Sequence, residues 1–259
     1  MSKPRVLLCI DAGNTLVKWC VHRNASLPLL AVVQQWSKPT AEFKLVDLPG
    51  QVDAVLLSNV LGPEFEESLR KQCVDRKTDL HVLKVNANSQ LQSAYDNPAQ
   101  LGKDRWAACL AVAQASNAPV NLVVSFGTAT TLDALVKKGD AWQHLGGFIV
   151  PGVQTMLSSL HNNTAELPKV DFNTLEVGHF EWPGNTQQAI AAGVGRMQVA
   201  WVQSLVDELK CTHGQPPAVW FSGGFAAQMQ SLYPAAQLLE HAVFKGLVFD
   251  YQMQHRGAP

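Results

Sequence analysis

The sequence lacks the features that mark several large functional classes. Its 259 residues contain five cysteines (Cys9, Cys20, Cys73, Cys109 and Cys211), an odd number, widely spaced, with no C-x-x-C pair and no adjoining histidine cluster. That pattern argues against a disulfide framework or a zinc ribbon and fits reduced thiols in a cytoplasmic protein. None of the eight histidines forms an H-E-x-x-H motif. Neither sign of charge dominates: 20 basic residues stand against 21 acidic ones, with no long basic run. Nucleic acid and anionic membrane surfaces are therefore poor candidates for a partner. No apolar run approaches the about 18–20 residues needed to span a bilayer, and Asp11 interrupts the opening MSKPRVLLCIDAGN before it can read as a signal peptide. A P-loop, G-x-x-x-x-G-K-[ST], is absent, and Gly193 and Gly195 supply only part of G-x-G-x-x-G inside a helical pattern. What is present is 47% hydrophobic content, enough for a substantial core.

The order of apolar runs predicts a repeated α/β unit. RVLLCI, LVKWCVH and LLAVVQQW read as three strands in a meander. They are followed by strand AVLLSNV (54–60), helix EFEESLRKQC, strand HVLKV and a helix from about Ala99 to Ser116. A similar order then restarts with NLVVSFG (121–127), TLDALVKKG and WQHLGGFIV, followed by helices near 152–161 and 186–210. AVWFSGG (218–224) runs into a glycine turn, with helical segments after it. Asp11 and Ser125 occupy matching places 114 positions apart. A duplication of that length predicts two similar α/β domains, 1–117 and 118–259, with a small-molecule cleft between them.

Two strand-ending turns carry the chemistry expected of a phosphate clamp. In DAGNT, Asp11 is suited to Mg²⁺, directly or through water, while Asn14, Thr15 and backbone N–H groups suit phosphate oxygens. Lys18 adds a positive charge on the returning strand. The same five residues also suit a plain hairpin turn, since Asp, Asn and Gly favour turns for local reasons. In SFGTATTLD, Gly127 permits close backbone approach and Thr128 supplies a hydroxyl; Thr130 and Thr131 also read as strand formers. FSGGFAA (221–227) is a third glycine turn, placed where an adenosine could rest. Outside the turns, YDNPAQLGKDRWAACLAVA (95–113) sets Asp104 and Arg105 at the start of an apolar helix. Asp104 there either complements the helix N-terminus or takes a hydroxyl proton from a substrate. Arg105 is then either a surface partner or a two-pronged grip on a carboxylate.

DAGNT-x-x-K, GKDRWAA, FGTATTLD, GGFIVPG and NTQQAIAAG occur in this order across essentially the whole chain. Together they resemble the type III pantothenate kinases, in the branch that includes the Bvg accessory factors. The resemblance implies two ribonuclease H-like domains of the acetate and sugar kinase, heat-shock ATPase and actin superfamily. It implies ATP-dependent phosphorylation of pantothenate, the first step toward coenzyme A, in the cytoplasm. Asp11 to Lys18, with Ala12, Gly13, Asn14, Thr15, Leu16 and Val17 between them, would form the first phosphate loop, and Thr128 would reach ATP from the second. Gly102, Lys103, Asp104 and Arg105 would line the pantothenate pocket, with Asp104 the general base and Tyr95 closing it. Family members are homodimers with shared sites, and the threonine lent by the partner chain corresponds to Thr186. Many relatives carry Asp where this chain has Ser125; that Asp binds K⁺ or NH₄⁺, so the cation requirement is open here. Two alternatives share the fold: a kinase acting on another small acceptor, and a non-catalytic regulator.

Overall fold

A computed structural model describes residues 6–23, 32–49, 51–86, 90–172 and 182–255. The chain divides into two compact units, Met1–Gln114 with Ala242–Pro259, and Ala115–His241.

The first unit opens with β1 (Val6–Ala12), β2 (Leu16–Arg23) and β3 (Val32–Pro39), the expected meander. Of the run read as the third strand, Leu29 to Ala31 lie outside the described residues. A 3₁₀ turn precedes β4 (Ala54–Asn59), which leads through Gly62 and Pro63 into α1 (Pro63–Asp75). Pro at the first helical position suits α1 because its missing N–H would have no helical partner there. Then come β5 (Asp79–Val82), the short β6 (Leu91–Ser93) and α2 (Lys103–Ala115). The helix expected from Ala99 is in fact a 3₁₀ turn, Pro98–Gln100, followed by α2; Asn97 caps the turn by accepting from the Ala99 N–H. That break places Gly102 and Asp104 at the true start of the helix.

The second unit holds β7 (Val120–Phe126), β8 (Ala129–Lys138), β9 (Ala141–Pro151) and α3 (Val153–Asn162). The long α4 (Thr186–His213) starts under the Asn185 side chain, which accepts from the Gln188 N–H, and stops at Gly214 in the left-handed region. β10 (Ala218–Gly223), α5 (Ala226–Leu232) and β11 (Gln237–Leu238) complete it, and α6 (Ala242–His255) returns to the first unit.

The duplication is visible in topology. The first sheet runs β3-β2-β1-β4-β5, and the strands of the second unit run β9-β8-β7-β10-β11. In both, the central strand pairs antiparallel with its successor and parallel with the fourth strand. This is the order expected of a duplicated ribonuclease H-like α/β fold.

Each sheet buries alternate residues on opposite faces. In the first unit, Leu8, Ile10, Val55 and Leu57 pack with Leu69 and Cys73 of α1. The alternate residues Leu7, Cys9, Ala54 and Leu56 are also buried, on the face that α6 covers by packing on β1 and β4. Gly246 lets α6 settle on α2, since a side chain there would collide with the Ala107 carbonyl. The expected boundary put 242–259 with the second half; its compact unit is the first, because its apolar residues fill the open face of the first sheet. In the second unit, Leu122, Val124 and Phe126 pack with Val153, Leu157, Val194, Val202 and Phe221. None of the five cysteines is in a disulfide, and four of them are buried. Among the described residues no helix is long and apolar enough to cross a membrane.

Candidate active site

The first turn is a hairpin loop with outside support. The Gly13 N–H donates to the Leu16 carbonyl, closing the loop (3.1 Å). Thr40 then fastens it twice, its hydroxyl donating to the Gly13 carbonyl (2.7 Å) and its N–H to the Thr15 carbonyl (3.0 Å). Asn14, Thr15 and Leu16 are exposed at the tip, whereas Ala12 and Val17 are fully buried beneath it. The loop is therefore rigid at its base and open at its crest, which suits backbone N–H groups facing an anion. Thr40 was not singled out in the sequence, because a threonine 27 residues from its partner leaves no local signal.

Asp11 and Lys18 are cross-strand partners in the β1–β2 ladder. Asp11 lies on the face of the sheet that carries Leu7 and Cys9 and that α6 covers. Burial first, and the nearby Asp104 carboxylate second, push the Asp11 pKa from 3.8 up to about 7, with Lys18 opposing. Two carboxylates from motifs about ninety residues apart are thus brought into electrostatic reach within one unit. Such paired carboxylates are costly unless a cation joins them.

Asp104, the second residue of α2, has its carboxylate folded back, where Oδ1 accepts from the Arg105 N–H (2.9 Å). A side chain on Gly102 would stand 2.7 Å from the same oxygen, so glycine at 102 leaves room for the Asp104 carboxylate in that position. Arg105 is 6% exposed and donates from Nη1 to the Tyr95 hydroxyl (3.1 Å). Its guanidinium carbon also lies 5.9 Å from the centroid of the Tyr95 ring. Lys103, partly buried, has its pKa pushed down by desolvation. The structure therefore gathers Asp11–Lys18, Tyr95 and Gly102–Arg105 in the first unit.

Thr128 and Thr186 belong to the second unit. Thr128 is exposed in the loop between β7 and β8, directly after Gly127. Its carbonyl accepts from the Gly152 N–H (3.0 Å) and the Thr155 hydroxyl (2.7 Å), so the start of α3 buttresses the loop. A side chain on Gly152 would collide with the Gly127 carbonyl, and one on Gly223 with the Phe126 carbonyl. Gly223 also has φ near +92°, a conformation that favours glycine. Glycines from GGFIVPG and FSGG thus allow the backbone around the second loop to close up. Thr186 is exposed at the first position of α4. Ser125 hydrogen-bonds the Ser222 hydroxyl (2.8 Å), its parallel partner in β10.

Residues 7–208 match the sequence profile of the type III pantothenate kinases. Two similar proteins bear that name: one from Nitrosospira multiformis, 32% identical, covering 94% of this chain and 90% of that protein, and one from Herminiimonas arsenicoxydans, 33% identical, covering 86% and 88%. Among solved structures, similar folds occur in a Campylobacter jejuni protein described as a candidate Baf family transcriptional activator (TM-score 0.59, 18% identity, 96% of this chain and 99% of that one). Another is a glucokinase from an Antarctic psychrotroph (TM-score 0.50, 10% identity, 95% and 98%). These structures share the fold of the duplicated sheets, while the matched profile and the two sequence relatives go further: the chain belongs to the type III pantothenate kinase family.

Proposed function

We infer that this chain transfers the γ-phosphoryl group of ATP to the primary hydroxyl of pantothenate, yielding 4′-phosphopantothenate and ADP, the first step toward coenzyme A. The observation that carries this reading is the gathering of a phosphate-type loop, a second carboxylate and an arginine in one unit. Asp104 takes the proton from the acceptor hydroxyl as its oxygen forms a bond to the γ-phosphorus. The bond from that phosphorus to the ADP oxygen breaks, and ADP leaves with the electron pair. Arg105, oriented by Tyr95, grips the pantothenate carboxylate. The Asp11–Lys18 loop positions the phosphates, which is most of what a protein contributes to phosphoryl transfer. Asp11 fits a divalent cation, because a cation beside it relieves both its burial and the repulsion from Asp104. Mg²⁺ held there with ATP would neutralise charge on the phosphates. ADP release measured with ATP and Mg²⁺, with and without pantothenate, tests the reading; release indifferent to pantothenate would reject it.

The active form is a homodimer in which Thr186 completes the partner's acceptor pocket. Thr186 and the next three residues of α4 are exposed on the single chain. So are the large apolar side chains Phe148 (53%), Ile149 (61%) and Met197 (53%) of the same unit, a composition that favours burial against another surface. Mixing an Asp104→Asn chain with a Thr186→Val chain provides the test. With shared sites, a heterodimer has one doubly damaged site and one intact site, so activity returns to the mixture. Proven subunit exchange without recovery would mean that each chain builds its own site.

The monovalent-cation requirement is weak in this chain. Ser125 offers a hydroxyl already bonded to Ser222 in place of a carboxylate. Replacing K⁺ by Na⁺ at constant ionic strength should change the rate less than about two-fold, ionic strength being fixed because screening alone affects charged substrates. Ser125→Asp should introduce a K⁺ dependence. Strong, saturable activation of the unmodified chain by K⁺ would contradict this. Five cysteines outside any disulfide accord with a cytoplasmic enzyme.

A further inference from the structure

Ser58 is the penultimate residue of β4, as Asp11 is of β1, and the two are direct partners in the parallel ladder. Partners in such a ladder sit on one face, with strands about 4.8 Å apart. Ser58 is 1% exposed, and its hydroxyl has no hydrogen-bond partner among the described residues. A buried hydroxyl left unpaired is a standing cost to the fold, and native proteins rarely keep one without use. The second unit shows what this register can do. There Ser125 and Ser222 occupy the places of Asp11 and Ser58, and their hydroxyls bond at 2.8 Å. Side chains at these two positions therefore reach each other across the strands. The difference in the first unit is that one partner is a carboxylate, crowded by Asp104.

We propose that Ser58 is a positioning residue whose hydroxyl donates to the Asp11 carboxylate and holds it toward the divalent cation of the bound nucleotide. This rests on the reading of Asp11 given above. The register that lets the Ser125 and Ser222 hydroxyls bond is the one that Asp11 and Ser58 share. An anionic acceptor makes that bond stronger than one between two neutral groups. A bond from Ser58 to a charged Asp11 would satisfy the buried hydroxyl and fix the carboxylate at once. Ser58 acts through Asp11 and touches no reacting atom.

The test compares Ser58→Ala with the unmodified full-length chain, using ADP with Mg²⁺ as the probe. Calorimetric titration gives the Mg²⁺ concentration that supports half-maximal ADP binding, thermal melting without ligand gives stability, and steady-state kinetics give KM for pantothenate. We expect the Mg²⁺ requirement to rise about ten-fold or more. The ligand-free melting temperature should stay level or increase, since an unpaired polar group is removed, and KM for pantothenate should not move. Ser222→Ala, which breaks a made hydrogen bond, should instead lower the melting temperature. An unchanged Mg²⁺ titration in Ser58→Ala would overturn the proposal. So would a lowered melting temperature with both ligands weakened alike, which marks a packing role. If the unmodified chain itself does not bind ADP with Mg²⁺, the reading of Asp11 fails first, and the proposal with it.

Discussion

Asp104→Asn should lower kcat for pantothenate phosphorylation by about 10²- to 10⁴-fold while pantothenate still binds measurably. The amide keeps the size of the side chain and one oxygen to accept the Arg105 N–H, so the start of α2 should hold. What it loses is the capacity to take a proton from the attacking hydroxyl. Single-turnover experiments with saturating ATP separate this loss from slow product release. Gly102→Ala is the companion variant. Its new methyl would crowd Asp104 Oδ1, the free end of a flexible side chain, so the fold survives while the carboxylate moves. It should lower kcat more than it lowers the melting temperature, because a misplaced base costs rate steeply. Near-normal turnover in Asp104→Asn would reduce Asp104 to a charge complementing a helix terminus.

Asp11→Asn should weaken use of MgATP by about 10²-fold or more in kcat/KM, an expectation at the scale of losing a charged group from a phosphoryl-transfer site. Binding of pantothenate should change little. The pH dependence makes the prediction sharper. With its pKa at about 7, Asp11 in the ligand-free protein is largely protonated at pH 6 and largely charged at pH 8. A cation favours the charged form, so Mg-nucleotide binding should strengthen about ten-fold over that interval beyond the baseline slope of Asp11→Asn. The variant supplies the baseline because nucleotide phosphates titrate as well. Stability without ligand runs the other way. A folded-state pKa raised above the ordinary 3.8 means that the fold holds this proton more tightly than the unfolded chain does. The contribution is complete below about pH 4 and is lost as pH rises through 7. The ligand-free protein should therefore melt lower at pH 8 than at pH 6, by more than Asp11→Asn does. Equal pH slopes in the two proteins would show that Asp11 does not titrate in this range.

Much of this was legible in the chain because its strands are short, apolar and punctuated by Gly, Asp and Asn. DAGNT reads as a turn from local chemistry alone, and β1 and β2 flank it as expected. The duplication was legible because two strand-ending turns recur at a fixed distance, and both units repeat one strand order. Long-range placement was not. Nothing local to 242–255 says that this helix belongs to the first unit, since its apolar packing on β1 and β4 and the fit of Gly246 against the Ala107 backbone are long-range. Ser58 was missed for a related reason. The parallel register of β1 and β4 joins residues 47 positions apart, and a serine closing an apolar run resembles any strand end. Its one retrospective signal is that AVLLSN ends on polar residues, as RVLLCID does. Gly152 and Gly223 stood inside recognised motifs, but their contacts with the second loop depend on backbone proximity that spacing does not encode.

Letting acceptors compete decides whether a site built on Asp11, Asp104 and Arg105 phosphorylates pantothenate. The full-length chain is incubated with ATP, Mg²⁺ and an equimolar mixture of pantothenate, hexoses, an N-acetylated amino sugar and acetate, and the products are identified by mass spectrometry and ³¹P NMR. A single phosphorylated product, 4′-phosphopantothenate, should form in step with ADP and be lost in Asp104→Asn. Phosphorylation of a sugar or of acetate with pantothenate untouched, or no phosphoryl transfer by a folded chain that binds ATP, would contradict it.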